Sequence, residues 1–282
     1  MNLIDRIRAS ENIIIKLLLN FYRFLLKFYF YITLSTLISF KELKFYNNDD
    51  KKKNIDNWNH TYVFKNWLKI LTRNNTSDHS EMWIILTNSE YKYLLHKYKY
   101  LLENKALTVI DAWWNIWLFT IFMNLYFDIK KSFIIEPDEE NLKILKYNLS
   151  INNIINYTLF EKALYINESE IGFDTNQDHD WKRIDLKILN KKVKTISIWT
   201  IFKQNNLDTI DLLKMDIEWW EWYLIKNIND KKFYNRINLI VIEYHLDSEN
   251  KRKEDIIDYF DWFNHYIAFS HSAWWLIYFT KK

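Results

Sequence analysis

Cysteine is absent from this 282-residue chain, and glycine and proline occur once each, at Gly172 and Pro137. Without cysteine there is no disulfide, no thiolate metal site and no cysteine nucleophile. Average usage would supply about 20 glycines, so the glycine-built loops that cradle phosphates or nucleosides are excluded at face value. A dominant charge is lacking too, since 39 Lys and Arg face 36 Asp and Glu for a net charge of +3. That balance gives no global field of the kind that argues for a nucleic-acid partner. What is present is an ordinary globular mixture, 49% hydrophobic and 27% charged, with 14 Trp. Such a composition excludes disordered and collagen-like classes and is long enough for one large core plus an extension.

Lys, Asn, Ile, Phe and Tyr abound while Ala, Arg, Pro and Gly are scarce, the pattern of a gene rich in A and T. The same bias should suppress Trp, whose standard codon is UGG. Fourteen Trp beside one Gly therefore need a separate cause.

The least polar segment runs from Ile13 to Phe40, with charges at Lys16, Arg23 and Lys27 and an uncharged stretch of 13 residues from Phe28 to Phe40. About 18 to 20 apolar residues are needed for a spanning helix, and no small-residue cleavage site marks a signal peptide. The segment reads as one or two amphipathic helices whose apolar face packs on the main domain or lies in a membrane interface. Residues 1–58 are thus expected to form a helical, apolar extension closed by a polar linker, NNDDKKKN at 47–54.

From about residue 59 to 282 the pattern is that of one domain. Thr108 to Ala112, Ser132 to Glu136, Thr209 to Asp216 and Asn238 to Tyr244 read as buried strands. Helical patterns over Leu118 to Tyr126, Glu139 to Ser150 and Glu221 to Ile228 alternate with them. Strands alternating with helices imply an α/β fold with a mostly parallel sheet, helices on both faces and ligands at the carboxyl ends of the strands.

Two of those strand ends carry Trp where a ligand loop wants glycine. In TVIDAWWNIWLFTIF (108–122), reading Trp113, Trp114 and Trp117 as Gly yields D-A-G-G-N-I-G, which resembles the first S-adenosylmethionine motif of class I methyltransferases in its FkbM-type version. DLLKMDIEWWEWYLIKN (211–227) resembles the FkbM signature D-L-L-K-x-D-(I/V)-E-G-x-E, with Trp219 at the family's Gly. In order, RNNTSD (73–78), IIEPDEENLKILKYNLSINNI (134–154), EKALY (161–165), VKTISI (193–198) and IVIEYH (240–245) resemble further elements of that family. A UGA codon read as Gly by the source and as Trp by the translation would account for the coincidence. Trp113, Trp117 and Trp219 are the strongest cases, Trp114, Trp220, Trp274 and Trp275 follow, and Trp181 is a weaker one. The bland alternative keeps them as genuine core or sugar-stacking aromatics.

The resemblance implies a Rossmann-like class I methyltransferase that uses S-adenosylmethionine. Asp111, the loop of Trp113, Trp114, Asn115 and Trp117, the strand-end pair Glu136 and Pro137, and Ala163 are then expected around the donor, with Asp216 lining the same pocket. Glu136 lies 25 residues after Asp111 and would accept from the ribose hydroxyls. Methyl transfer from a sulfonium needs positioning of the acceptor and removal of its proton. His245 is the leading candidate base, with Glu243 and Glu218 beside it, and a structural histidine is the competing reading. These carboxylates and His245 could also bind Mg²⁺, but no spacing demands a metal, and none is expected. Asp78 is expected to be an N-cap.

The expected function is an O-methyltransferase acting on a small-molecule or glycan hydroxyl, a saccharide or glycolipid first, with no nucleic-acid partner. A non-catalytic Trp-rich carbohydrate- or membrane-binding protein of the same fold, or a nicotinamide-dependent oxidoreductase, are the alternatives. The expected location is the cytoplasm, with membrane-surface contact through residues 13–40 left open, as is the oligomeric state.

Overall fold

The computed structural model describes residues 59–64, 68–73, 76–86, 91–113, 118–174, 183–184, 191–227, 231–245, 252–270 and 274–282. The N-terminal extension, including residues 13–40, lies outside the described residues. The chain divides into two compact units. The first, described over residues 61–64 and 68–70, holds residues 61–63 of β1 (Asn59–Val63) and 69–70 of β2 (Lys69–Arg73), closed by Phe64 N–H donating to the Leu68 carbonyl at 2.8 Å.

The second unit holds the α/β domain. Its elements in order are α1 (Asp78–Leu86), α2 (Lys92–Leu95), α3 (Lys99–Leu102), β3 (Leu107–Trp113), α4 (Leu118–Tyr126), β4 (Ile129–Ile135), α5 (Glu139–Ile151) and β5 (Tyr157–Phe160). There follow β6 (Ala163–Leu164), β7 (Glu170–Asp174), β8 (Arg183–Ile184), β9 (Lys192–Ile196), α6 (Ile198–Gln204), β10 (Ile210–Asp216) and α7 (Glu221–Lys226). A 3-10 turn at Lys231–Arg236 leads to β11 (Ile237–His245), α8 (Lys253–Tyr259), β12 (Phe263–Ser270) and β13 (Trp274–Lys281).

Near-continuous apolar runs such as LLKM in β10 and LIVI in β11 leave no polar face for solvent, so these strands belong in a sheet covered on both sides. They form the centre of a seven-stranded sheet in the order β12, β13, β11, β10, β3, β4, β5. The neighbours from β11 through β5 pair in parallel, and β13 runs antiparallel to both β11 and β12. From β3 the chain moves outward through β4 to β5, whereas from β10 it moves the opposite way to β11. Right-handed crossovers then put α4 and α5 on one face and α7 on the other. A second, four-stranded sheet, β6, β9, β7, β8, is inserted between β5 and β10.

Local sequence sets the elements that reach the site. The helix α4, LFTIFMNLY, is apolar nearly all round and buried from Leu118 to Met123, as a helix under a sheet must be. Pro137 blocks further strand pairing, and the Asp138 carboxylate then caps α5 by accepting from Glu140 N–H and Asn141 N–H at 3.1 Å each. Within α5 the buried Asn148 side chain acts as a backbone mimic, accepting from Leu71 N–H at 2.7 Å and donating to the Leu71 carbonyl at 3.0 Å. Asp78 is not an N-cap: it is fully buried as the first residue of α1, and its carboxylate is gripped by the Arg73 guanidinium at 2.7 and 2.8 Å and by Arg73 N–H at 2.8 Å.

Candidate active site

The chain reverses its direction of travel across the sheet between β3 and β10, which is where a doubly wound sheet opens a crevice at its carboxyl edge. Asp216, the last residue of β10, is registered with Trp113, the last of β3, and Lys214 is registered with Asp111. Residues two apart on a strand share a face. Asp111, Lys214 and Asp216 therefore form one polar patch in an apolar sheet, and all three are buried.

Lys214 Nζ donates to Asp216 Oδ2 at 2.9 Å, and Thr120 Oγ1 on α4 donates to Asp111 Oδ2 at 2.5 Å. The other oxygens, Asp111 Oδ1 and Asp216 Oδ1, are buried with no hydrogen-bond partner among the described residues. Burial pushes the Asp111 carboxyl up to about 6, against the opposing pull of Lys214 and Thr120. Two buried, half-satisfied carboxylates at a switch point are built to receive a cationic or donor-rich ligand.

Beyond Asp216 the backbone turns sharply, with Glu218 at φ 48° and Trp219 at φ 79°. The other described residues at positive φ are Asn104, Asn153 and Asn206, and Asn tolerates that region where a bulky side chain does not. The turn delivers Glu221 in the first turn of α7, fully buried, where Oε1 accepts from Ile217 N–H at 3.0 Å and meets His245 Nδ1 at 3.1 Å. His245 ends β11, and its Nε2 faces Glu218 Oε2 and Glu243 Oε1, each at 3.6 Å. Trp219 lies against the imidazole with ring centroids 5.8 Å apart. Burial alone would lower the His245 pKa, but the carboxylates of Glu221, Glu218 and Glu243 hold it well above its ordinary value. Burial, reinforced by Asp216 and Glu221 and only partly offset by His245, pushes Glu218 up to about 8. Both shifts favour the protonated forms, so Glu218 and His245 make one coupled, proton-retaining cluster.

Of the residues expected from sequence, Glu218, Glu243, His245 and Asp216 converge here, and Asp111 joins them through Lys214. Glu136 and Pro137 follow the end of β4, beside β3, and both are buried. The Glu136 carboxylate accepts from Asp138 N–H at 2.6 Å and makes a long contact of 3.5 Å with Asn141 Nδ2. Ala163 is buried in β6 of the inserted sheet. Trp113 closes β3, while Trp114, Asn115 and Trp117 lie outside the described residues. Lys214 and Thr120 were not expected, although a lone Lys inside the apolar run LLKM is the signal for a buried cation, and a Thr nine residues after Asp111 in an apolar helix is a fainter one.

Residues 111–269 match the family model of the methyltransferase FkbM domain, from Asp111 through β12. The chain belongs to the FkbM methyltransferase family. It carries a methyltransferase FkbM domain, for which the resemblance of its motifs implies S-adenosylmethionine as the methyl donor. No curated protein sequence matches the chain. Among solved structures it is similar to methyltransferase FkbM from Methylobacillus flagellatus, at 15% identity, TM-score 0.46, covering 70% of this chain and 52% of that one. This chain therefore spans about half the length of that protein. It is also similar to a SAM-dependent methyltransferase from Agrobacterium tumefaciens, at 6% identity, TM-score 0.49 and coverage of 82% and 72%. A third is M. jannaschii TYW2 in complex with AdoMet, at 12% identity, TM-score 0.42 and coverage of 82% and 89%.

The residues present fit that donor. Asp111 Oδ1 and Asp216 Oδ1 are buried acceptors without partners among the described residues, and the turn at 218–219 has the positive φ of a glycine-type ligand loop.

Proposed function

We propose that the chain is an S-adenosylmethionine-dependent O-methyltransferase whose acceptor is a hydroxyl of a saccharide or glycolipid. The observation that carries the reading is the convergence of Glu218, Glu221 and Glu243 on His245 at the end of β11, beside the switch point. Asp111 and the β3–α4 loop hold the methionine end of the donor, Glu136 takes the ribose hydroxyls, and Ala163 lines the adenine side. Asp216 closes the pocket between donor and acceptor. Bound S-adenosylmethionine supplies a methyl group already activated on a sulfonium.

The chain's own groups then have two tasks. His245, fixed through Nδ1 by Glu221, orients the two glutamates that face its Nε2. Glu243, or Glu218 once ionised, accepts the proton of the acceptor hydroxyl, and the His245 imidazolium stabilises the carboxylate before the transfer. The preference for a glycan rests on the family resemblance. No helix among the described residues is long and apolar enough to cross a membrane. Contact of residues 13–40 with a membrane surface, which would favour a lipid-linked acceptor, stays part of the proposal, as does the division at residue 58.

The same reading holds that Trp113, Trp114, Trp117, Trp219 and Trp220 stand where the functional protein has Gly. Trp219 at φ 79° supports it independently of any motif. The experiment is transfer of labelled methyl from S-adenosylmethionine to a panel of mono- and oligosaccharides, using the chain with those five residues as Gly. A methyl ether on a sugar hydroxyl is the expected product. Methylation confined to nitrogen or to RNA would refute the acceptor class, and UGG codons at 113, 117 and 219 would refute the recoding.

A further inference from the structure

The ends of β10 and β11 bring together a set of side chains that suits a metal ion. One carboxylate oxygen of Asp216, one of Glu218 and a ring nitrogen of His245 all lie within 4.8 Å of one another. An ion about 2.1 Å from each donor atom separates its ligands by about 3–4 Å. The 3.6 Å from His245 Nε2 to Glu218 Oε2 already meets that requirement, and a small side-chain rotation closes the widest pair.

A grouping of acids would say little alone, but two other features point to a ligand. Asp216 is 2% exposed, and its Oδ1 has no partner among the described residues, because Lys214 engages only Oδ2. A buried carboxylate oxygen left without a donor needs an occupant. The second feature is the opposite side of His245. Glu221 Oε1 sits 3.1 Å from Nδ1 and is itself fixed by Ile217 N–H at 3.0 Å. A carboxylate on the non-ligating nitrogen is how proteins orient a metal-binding histidine: it holds the proton on Nδ1, and a cation arriving at Nε2 displaces the proton held there. Here Nε2 is directed at Glu218 and at Glu243.

We infer that Asp216, Glu218 and His245 Nε2 bind one divalent cation, with Glu243 beside it. Two carboxylates and one imidazole suit a borderline ion such as Mn²⁺ or Zn²⁺ better than Mg²⁺, which prefers all-oxygen shells. The inference rests on the methyl-transfer reading for its role and deepens it. The ion coordinates the acceptor hydroxyl and acidifies it, so that the O–H bond breaks and the proton passes to Glu243. An acceptor with a second, adjacent oxygen, a vicinal diol of a sugar, fills two open positions and is the preferred class.

The test is binding of Mn²⁺ alone to the full chain, followed by the loss of the free-ion electron paramagnetic resonance signal. One Mn²⁺ per chain is expected, weakened about tenfold or more in Glu218→Gln and in Asp216→Asn, and unchanged in Glu103→Gln, an exposed acid just after α3. Asp216 supports the buried Lys214, so circular dichroism accompanies that variant. If Asp216→Asn unfolds, the partly exposed Glu218→Gln decides. No uptake at about 1 mM Mn²⁺, or uptake by Glu218→Gln equal to the parent, overturns the site. S-adenosylmethionine binding, and Mn²⁺ uptake again, are measured on the chain with Trp113, Trp114, Trp117, Trp219 and Trp220 replaced by Gly. Donor binding without Mn²⁺ uptake removes the ion alone, and Mn²⁺ uptake without donor binding removes the methyl-transfer role and leaves the ion site standing.

Discussion

Asp111 is a carboxylate that the sheet buries completely, with Thr120 on one oxygen and nothing described on the other. Desolvation raises it to about 6 from an unfolded value of 3.8, while Lys214 opposes the shift. An acid whose folded pKa is raised stabilises the fold relative to the unfolded chain only while protonated. That contribution is complete below pH ~3.8 and is lost as pH rises through ~6, a total of about 3 kcal/mol. Asp111→Asn removes the dependence. Urea denaturation at pH 4 and pH 7.5 should show the parent losing about 3 kcal/mol relative to the Asn variant over that interval, and a constant difference would contradict the assignment. At pH 7.5 the Asn variant should also bind S-adenosylmethionine more weakly, because the site keeps a destabilising charge for its ligand. Asp111 was legible in the sequence as a strand-end acid before a loop. Its dependence on Lys214 and Thr120 was not, because register across β3 and β10 is a tertiary property.

At the scale of elements, the turn from β10 into α7 organises the chemistry. It places Glu218 and Glu221 on opposite ring nitrogens of His245 and does so through two consecutive residues at positive φ. A side chain with a Cβ is disfavoured there by about 1–2 kcal/mol relative to Gly. Trp219→Gly should therefore be more stable than Trp219→Ala by about that amount in urea denaturation, the reverse of the order in a helix or strand interior. Equal stabilities would show that residue 219 does not need the left-handed region.

The helices α4, α5 and α7 and the core strands were readable from pattern alone. Leu118–Tyr126 coincides with its expected range, and β3, β4, β10 and β11 lie within a few residues of theirs. The inserted sheet was not readable from periodicity, since β6 and β8 are two residues long and β9 buries only Thr195 and Ile196; only the resemblance of VKTISI marked β9 as a strand. The β12–β13 hairpin was missed because β12 buries little besides Phe263. The members of the metal-suited cluster were legible as acids and a histidine at two strand ends, but their geometry was not. Asp216 and His245 are far apart in sequence, and only parallel pairing of β10 with β11 brings them together.

For the whole molecule, the composition that first excluded a glycine-built donor loop is reconciled with the fold by the place of its Trp residues. Five of the 14, Trp113, Trp114, Trp117, Trp219 and Trp220, fall at or just after the carboxyl ends of β3 and β10, the two strands that flank the switch point, and the family match begins at Asp111 in the first of them. Net charge near zero and a buried acidic centre favour a neutral hydroxyl acceptor over a phosphate-rich one. The most direct measurement is calorimetric titration of S-adenosylmethionine into the full chain as written and into the chain with Trp113, Trp114, Trp117, Trp219 and Trp220 replaced by Gly. The glycine form should bind at micromolar Kd and the written form about 100-fold more weakly or not at all. Equal affinity of the two, or no binding by the glycine form, would contradict the assignment of these loops to the donor.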